Sequence, residues 1–333
     1  NDNATSTDVA ITSQDAAGNS TTQNFSGLVT IDTVAPTASI TVDNVTADNI
    51  INLNELSGSD IPVTGSVGGD AKAGDTVTLT VNGHTYTGAV SNALTYSINV
   101  SPTDLAATGT IAASVTTADL AGNTATGNVS HVVNLDLIAP TASITLSDTA
   151  LQIGDTATVT ITFSEAVTGF TLADLTAPNG VLSNLSAASI NPVTGVVTYT
   201  ATFTPTANIE DTTNVVSLST EYTDLNGNSG TIAASNNYVV DTLAPVITIN
   251  GEVSNNYRPT LAKANDVITV SFTSTDPVTS VTIGGHVVSA TPVVGVLNTY
   301  TASYTVTTND NATSTDVAIT SQDAAGNSTT QNF

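Results

Sequence analysis

The stretch Val240-Asp241-Thr242-Leu243-Ala244-Pro245-Val246-Ile247-Thr248-Ile249 joins a short junction to a segment in which apolar and polar residues alternate. Related junctions end at Pro36 and Pro140, so the three prolines lie 104 (140 − 36) and 105 (245 − 140) residues apart. Roughly 100 residues is the size of one β-sandwich, and proline is tolerated where an edge strand begins. We therefore expect consecutive β-sandwiches of nearly equal length.

The first 25 residues, Asn1–Phe25, reappear unchanged as Asn309–Phe333, at an offset of 308 residues. Self-similarity of this kind is typical of a tandem array, and we expect the chain to be an excerpt from one. The predicted domains are 1–36 (the closing part of a preceding sandwich plus a linker), 37–139, 140–244 and 245–333, the last without its final strand.

The composition favours an all-β fold. Hydrophobic residues make up 40% of the 333-residue chain and aromatic residues only 4%, while β-branched residues alternate with polar ones, as in half-buried strands. We predict about seven strands per sandwich, with the sandwiches joined end to end into an elongated rod. In the middle sandwich the predicted strands are 141–147, 156–164, 170–176, 180–187, 196–205, 214–223 and 232–241.

The charge balance restricts the partners. Three cationic residues stand against 28 acidic ones, for a net charge of −25. Nucleic acid and anionic membranes are poor partners, because binding phosphates requires Lys and Arg. No apolar run reaches membrane-spanning length. Dense carboxylates repel one another unless a cation neutralises them, and Ca²⁺ prefers the oxygen ligands that this cysteine-free chain offers.

A second marker, Asp-x-x-Gly-Asn, precedes each junction, at Asp15–Asn19, Asp119–Asn123, Asp224–Asn228 and Asp323–Asn327. Glycine supplies the positive φ of a tight loop, and Asp or Asn caps the turn. In a seven-strand sandwich this sixth connection returns to the end at which the chain enters. It should therefore lie beside the junction Asp of the preceding linker.

The same strand order brings other scattered acids to the junctions, where we predict several Ca²⁺ ions. The predicted ligands carry side-chain oxygens at the end of a sandwich. They are Asp32, Asp70, Asp75, Asp119 and Asn123 at the first junction; Asp48, Asn52, Glu55, Asp104, Asp136, Glu165, Asp174, Asp224 and Asn228 at the second; Asp148, Asp155, Glu210, Asp211, Asp241, Asp276, Asp323 and Asn327 at the third; and Asp310 with its copy Asp2, and Asp15 with Asn19, where the array would continue.

Catalytic signatures are missing from the sequence. It has no Ser–His–Asp order, no glycine-rich phosphate loop before a helix and no zinc-type spacing. His84 and His286 each follow a glycine in a predicted hairpin and are interpreted as turn residues. We expect no enzymatic activity.

The recurring Asp-Thr-x-Ala-Pro junction and the Asp-x-x-Gly-Asn loop resemble those of the bacterial Ig-like repeats in giant, type I-secreted RTX and biofilm-associated surface adhesins. Asp48–Glu55 resembles the acidic first loop of one subtype, and Phe163–Phe170 with Leu172–Leu175 resembles another. One junction departs from the pattern, since Leu137 replaces the Thr after Asp136. The resemblance implies an extracellular rod on the bacterial surface that presents an adhesive tip, with calcium near the domain junctions.

Three functions follow as hypotheses. The first is a Ca²⁺-rigidified spacer whose partners are neighbouring identical repeats of the same long chain. The second is a module that recognises a glycan or another cell, and repetition could favour it only through avidity. The third is a filament subunit in which the strands of one molecule complete the sandwich of another.

Overall fold

The computed structural model describes residues 5–6, 8–27, 29–310 and 314–333; the predicted ligand Asp2 lies outside them. The backbone divides into two compact units. One comprises Asn1–Ala139 with the loop Thr223–Ser229, and the other comprises Pro140–Tyr222 with Gly230–Phe333. The four predicted domain ranges stay predictions.

The first unit contains short strands and two short helices. They are β1 (Thr5–Ser6), β2 (Val9–Gln14), β3 (Ser20–Phe25), β4 (Thr30–Ile31), β5 (Ala38–Ile40), β6 (Ile50–Asn52), α1 (Leu53–Leu56), β7 (Ile61–Gly69), β8 (Thr76–Val81), β9 (His84–Ala89), β10 (Thr95–Val100), α2 (Pro102–Thr108), β11 (Thr110–Ala118), β12 (Thr124–Val132) and β13 (Asn134–Asp136).

Seven of these strands form a sandwich of two antiparallel sheets, ordered β10-β7-β5 and β12-β11-β8-β9. Buried and exposed residues alternate along β7, β8 and β11, as expected for strands with one face on a core. Short β13 pairs in parallel with β6, placing Asp136 opposite Asn52. The alternating sequence therefore produces the predicted sandwich, and the parallel pair brings the junction to its first connection.

The second unit holds two further sets of strands. They are β14 (Ala142–Leu146), β15 (Ala150–Leu151), β16 (Ala157–Phe163), β17 (Val167–Thr168), β18 (Leu175–Thr176), β19 (Gly180–Ser183), β20 (Ser189–Ile190), β21 (Val197–Pro205), β22 (Glu210–Asn214), β23 (Ser217–Leu218), then β24 (Thr223–Asp224) in the loop assigned to the first unit, β25 (Ala233–Ala234), β26 (Tyr238–Asp241), β27 (Ile247–Ser254), β28 (Val267–Ser274), β29 (Val278–Ile283), β30 (His286–Val288), β31 (Ala290–Pro292), β32 (Thr299–Thr305), β33 (Val317–Gln322) and β34 (Ser328–Asn332).

The strands from β14 to β26 form a five-stranded sheet, β14-β16-β21-β19 with β20 also on β21, and two three-stranded sheets, β15-β26-β22 and β18-β23-β25. Strands β27 to β34 form two four-stranded sheets, β27-β28-β32-β31 and β30-β29-β33-β34. Strand β34 follows the last Asp-x-x-Gly-Asn loop and pairs with β33 over five positions. The all-β prediction is thus confirmed.

Four predicted strands of the middle sandwich differ from the structure. The strand predicted at 180–187 ends at Ser183, and the one predicted at 232–241 is divided into β25 and β26. The other two are interrupted by side-chain bonding. Within 170–176, Leu172–Asp174 forms a 3₁₀ helix, because Thr171 and Asp174 form a capping box around it. Within 214–223 the pairing is interrupted: the Asn214 amide bonds the carbonyl oxygens of Asp211 and Tyr238, where the register of β22 against β26 shifts. Side-chain bonding to backbone groups competes with the regular ladder at both places.

Each sandwich has its own core. The first is built of aliphatic residues such as Val63, Leu79 and Ile111, all completely buried. In the second, the Phe163 ring meets Phe170, Tyr199 and Tyr222 in edge-on contacts, a favourable geometry for aromatic rings.

Identical sequences differ in burial between the two ends of the chain. Val317 and Ile319 on β33 are 1% and 0% exposed, whereas their copies Val9 and Ile11 on β2 are 42% and 57% exposed. Both copies form a hairpin in the same register. Local sequence therefore suffices for the hairpin, and its burial depends on the sheets of the third sandwich.

Candidate metal centre and junction contacts

The Asp-x-x-Gly-Asn loops have a common hydrogen-bond pattern. In the third copy, Asp224 Oδ1 accepts bonds of 2.9 Å from the N–H groups of Asn226 and Asn228. Asn228 Nδ2 donates to Asp224 Oδ2 at 2.7 Å, and Gly227 has φ +90°. The other three copies have the same Asn-to-Asp side-chain bond, at 2.8–2.9 Å. Residue spacing alone therefore determines the shape of the loop.

These bonds also stabilise the charged form of the Asp. The Asn19 side-chain amide holds the pKa of the Asp15 carboxyl below its usual value, with backbone N–H groups adding to the effect. The Asn123 amide lowers the pKa of Asp119 in the same way. Accepting several N–H bonds favours the ionised form of a carboxyl group, so the first two loops hold fixed negative charges.

In the first unit the Asn of the third loop joins two distant parts of the chain. Asn228 Nδ2 donates to the carbonyl oxygens of Asp136 at 3.2 Å and Ile138 at 3.3 Å. Its Oδ1 accepts a 2.7 Å bond from the N–H of Leu53, at the start of α1. The side chain is fully buried. Its partners all belong to the first unit, and so does the loop Thr223–Ser229.

In the second unit the fourth loop repeats this arrangement. Asn327 Nδ2 donates to the carbonyl oxygen of Asp241 at 2.9 Å, and Asn327 Oδ1 accepts from the N–H of Ile153 at 2.8 Å. Asn327 is 3% exposed. One amide thus links a junction to the first connection of the preceding sandwich.

The first two loops make fewer such bonds. Asn123 is half-buried and donates to the carbonyl oxygen of Asp32 at 3.1 Å. Asn19 is exposed, and among the described residues its side-chain amide bonds only Asp15. Burial of the Asn therefore rises with the number of its tertiary partners. The predicted proximity of each loop to its junction Asp is seen for Asp32, Asp136 and Asp241.

Two predicted metal ligands of the first unit approach each other closely. Asp136 and Asp224 each offer a carboxylate oxygen, and these atoms lie within 4.8 Å of one another. Asp224 is 1% exposed, and Asp136 Oδ2 accepts a 2.6 Å bond from Asn226 Nδ2. Oxygens bound to one Ca²⁺ lie about 2.3–2.6 Å from the ion, so both could ligate a single ion. Both residues offer carboxylate oxygens, and calcium prefers oxygen ligands, so these two residues fit calcium.

Most of the other predicted ligands accept hydrogen bonds from backbone N–H or hydroxyl groups. Asp70 accepts from the N–H and hydroxyl of Thr37, 33 residues earlier, which lowers the pKa of Asp70. Local bonds within a loop are found for Asp48 with Ile50, Asp75 with Lys72, Asp148 with Ala150, Asp155 with Gln152, Asp174 with Thr171, Asp211 with Thr213 and Asp276 with Thr275.

The remaining predicted ligands lie on helix α1, on strand β22 and in one connection. Asn52 and Glu55 form a capping box at α1, and Asn52 Nδ2 also donates to the Asn226 carbonyl at 2.8 Å. Glu210 lies opposite Asp241 in the β22–β26 ladder. Glu165 lies in the connection between β16 and β17.

Asp104 and Asp310 are each engaged by a histidine and a tyrosine. Asp104 bonds His84 Nδ1 at 2.9 Å and the Tyr86 hydroxyl, which is the main cause of its lowered pKa. Asp310 accepts from the Thr307 N–H at 2.6 Å, the Tyr304 hydroxyl at 2.8 Å and His286 Nε2 at 3.1 Å.

The Thr307 N–H is the largest of these influences, and together they lower the pKa of Asp310 to about 2. Sequence reasoning assigned both histidines to turns and missed their acid partners. The signal was available in the short spacing His84-Thr85-Tyr86, which places both rings on one face of β9.

Comparison with known proteins agrees with this architecture. Residues 136–240 match the bacterial Ig-like domain family. The structure of a Ca²⁺-stabilized adhesin that helps an Antarctic bacterium reach out and bind ice is similar over 98% of this chain and 80% of that one, with 28% identity and a TM-score of 0.52. The chain belongs to the bacterial Ig-like domain family.

A bacterial immunoglobulin-like domain from the M. primoryensis ice-binding adhesin is 41% identical over 31% of this chain and 100% of that domain, with a TM-score of 0.30. No curated protein matches the chain. This bacterial Ig-like chain is a non-enzymatic structural protein with the architecture of cell-surface adhesin repeats. In the described part of the chain, no helix has the length and apolar character needed to span a membrane.

Proposed function

We propose that this chain is an extender segment of a bacterial cell-surface adhesin, in which Ca²⁺ at the domain junctions stiffens consecutive Ig-like sandwiches. The segment projects a distal adhesive domain for attachment or biofilm formation. The similarity to a Ca²⁺-stabilized adhesin supports the proposal. The approach of Asp136 to Asp224 carries it.

The electrostatics of this pair favour a cation. Two carboxylate groups with oxygens within 4.8 Å of each other, one of them almost completely buried, repel each other more strongly than they would in water. The chain carries only three basic residues, and the polar contacts of Asp136 and Asp224 described above are amide and backbone N–H groups. A divalent ion bound to both would remove the repulsion, and we propose these two residues as its protein ligands.

The mechanical consequence follows from where the residues are attached. Asp136 ends β13 at the junction, while Asp224 begins the loop that Asn228 ties to the same junction. An ion held by both would stabilise the native state through linkage. It would also restrain a linker that would otherwise be a default site of domain motion. The corresponding roles at Asp32 with Asp119, and at Asp241 with Asp323, stay predictions.

The test uses the whole chain with and without EGTA. We expect chelation to lower the melting temperature and to shorten the maximum dimension measured by small-angle X-ray scattering. Readdition of Ca²⁺ should restore both, and calorimetry should detect the binding. Unchanged dimensions and melting temperature after complete chelation would contradict the proposal.

A second candidate, a filament formed by strand exchange, is favoured by one observation. The β2–β3 hairpin exposes Val9 and Ile11, whereas the identical β33–β34 hairpin buries the same side chains. A second molecule could bury the exposed copy by strand addition. Light scattering that shows concentration-dependent chains of molecules would support this candidate, and a constant monomer mass would oppose it. Glycan recognition stays a prediction, and binding of the chain to a glycan array would test it.

A further inference from the structure

The first connection of each sandwich contains a turn with a recurring pattern, which we call the docking turn. In it, the N–H of one residue bonds the carboxylate three positions later. The docking turns are Asn52–Glu55 (3.0 Å), Gln152–Asp155 (3.0 Å) and Lys263–Asp266 (2.8 Å). Three different sequences therefore fold into turns with the same carboxylate bond.

In two docking turns the second residue contacts the Asn of an Asp-x-x-Gly-Asn loop. The N–H of Leu53 donates to Asn228, 175 residues further on, and the N–H of Ile153 donates to Asn327, 174 residues further on. In both cases the same Asn also bonds a junction carbonyl. The docking turn is therefore one half of a contact whose other half is the loop Asn.

The third docking turn has the same donor without an acceptor. The equivalent residue is Ala264, whose N–H makes no hydrogen bond within the described part of the chain. In the first unit, Asn123 donates to its junction carbonyl, but its Oδ1 accepts no bond from any described residue. Within the described ranges, the Ala264 N–H therefore lacks an Asn acceptor, and Asn123 Oδ1 lacks the backbone N–H donor that Asn228 and Asn327 have.

Opposite charges and a similar residue separation both favour a contact between the third docking turn and the Asp119–Asn123 loop. Arg258 and Lys263, two of the three cations in the chain, lie at or near the third docking turn and are exposed. The Asp119–Asn123 loop carries an acidic residue, Asp119. In a copy 308 residues further on, Asn123 would follow Ala264 by 167 residues, close to the spacing of the two observed pairs.

We propose that the docking turn Lys263–Asp266 binds the Asp119–Asn123 loop of a second copy of this sequence, with the Ala264 N–H donating to Asn123 Oδ1. The two observed contacts use only amide, carbonyl and N–H groups. The proposed bond therefore needs no metal ion of its own, and the proposal does not rest on the proposed function.

The experiment traps the contact as a disulfide, which the absence of native cysteine makes unambiguous. A second copy is joined through the shared 25 residues, so that its residue 26 follows Phe333. Lys263→Cys is combined with Gly122→Cys in the second copy, so that Ala264 and Asn123 keep the groups that form the proposed bond. The equivalent residues are adjacent at an observed contact, since a Cβ on Gly326 would lie 2.6 Å from the side-chain oxygen of Gln152, and a disulfide forms only between adjacent Cβ atoms.

Two control pairs calibrate the result. Gln152→Cys with Gly326→Cys in the original chain reports the yield at an observed contact, with Asn327 left intact. Lys263→Cys with Thr103→Cys in the second copy reports random encounters, because β11 separates α2 from the Asp119–Asn123 loop by about 30 Å.

We expect the test pair to reach the yield of the first control, in EGTA as well as in Ca²⁺. Intact mass and non-reducing gel mobility measure that yield. A yield no higher than that of the Thr103 control would overturn the proposal, and so would a disulfide that forms only with Ca²⁺.

Discussion

The side chain of Asn327 accepts a 2.8 Å hydrogen bond from the backbone N–H of Ile153, 174 residues earlier in the chain. Its amide nitrogen donates at the same time to the carbonyl oxygen of Asp241. Because Asn327 is 3% exposed, water cannot easily replace these bonds. A single uncharged side chain thus connects two sandwiches of the second unit.

Asn327→Ala should therefore destabilise the protein. The change leaves the Ile153 N–H and the Asp241 carbonyl without their partner, which costs about 1–3 kcal/mol. The matched control is Asn19→Ala, which alters the same local sequence where the Asn is exposed. Chemical denaturation should show a loss for Asn327→Ala and almost none for Asn19→Ala. Equal losses would mean that the Asn acts only within its own loop.

The duplicated hairpins provide a second matched pair. Ile319 is completely buried and Ile11 is 57% exposed in the same sequence context. We expect Ile319→Ala to lower the free energy of unfolding by about 2–5 kcal/mol, since it opens a cavity in the third core. Ile11→Ala should change it by no more than about 0.5 kcal/mol. A large loss for Ile11→Ala would show that β2 is packed in solution.

Gly230 should not tolerate a side chain. A Cβ at this position would lie 2.2–2.5 Å from ring atoms of Tyr222, which is fully buried and bonded through its hydroxyl to Thr231. Gly230→Ala should cost about 1–3 kcal/mol through overpacking, measured by thermal and urea unfolding. Gly251→Ala is the control, because nothing lies within 4 Å of its Cβ position; a comparable loss there would contradict a steric cause.

Asp310 should make stability depend on pH in the acid range. Its pKa is lowered to about 2 by the Thr307 N–H and the Tyr304 hydroxyl. Its contribution is therefore complete above the unfolded pKa of about 3.9, and is lost as the pH falls through the folded value. The destabilisation caused by Asp310→Asn should shrink between about pH 5 and pH 2.

The measurement is denaturant unfolding of the parent and Asp310→Asn across this pH range. Tyr304→Phe removes one of the bonds that stabilise the carboxylate, so it should raise the pKa of Asp310. The pH range over which the effect of Asp310→Asn declines should then become narrower. A destabilisation by Asp310→Asn that is constant from pH 5 to pH 2 would contradict the assignment.

Asp136→Asn should weaken the response to calcium under the proposed function. The change removes one of the two charges within 4.8 Å, while an Asn oxygen can still accept the Ile138 N–H as Asp136 Oδ1 does. We expect a smaller rise in melting temperature on adding Ca²⁺ than in the parent. Asp60→Asn, an equal change of charge at an exposed site, should leave the rise unchanged. An undiminished response in Asp136→Asn would place the bound calcium elsewhere.

Much of the fold was predictable from local patterns. Alternation along segments such as Val197–Pro205 marked strands, because a half-buried strand imposes a period of two on side-chain polarity. The 3₁₀ helix at Leu172–Asp174 was missed, since its capping bonds override the strand propensity of the segment. At the candidate site, strand order correctly placed the loops beside Asp32, Asp136 and Asp241. The partners of Asp104 and Asp310 were missed: the spacing of His84 and Tyr86 indicates a shared strand face, but only the fold determines which acid meets them.

The two copies of Asp-Ala-Ala-Gly-Asn form the same local bond but differ in burial. In both, the Asn amide bonds the Asp carboxylate, at 2.9 Å in Asp15–Asn19 and 2.8 Å in Asp323–Asn327. Five residues suffice for that bond, because its two partners are only four positions apart. Only the second copy is buried, because Asp241 and Ile153 reach it from 86 and 174 residues away. Contacts across such distances require complete sheets to hold both partners in place, and no short stretch of sequence encodes them.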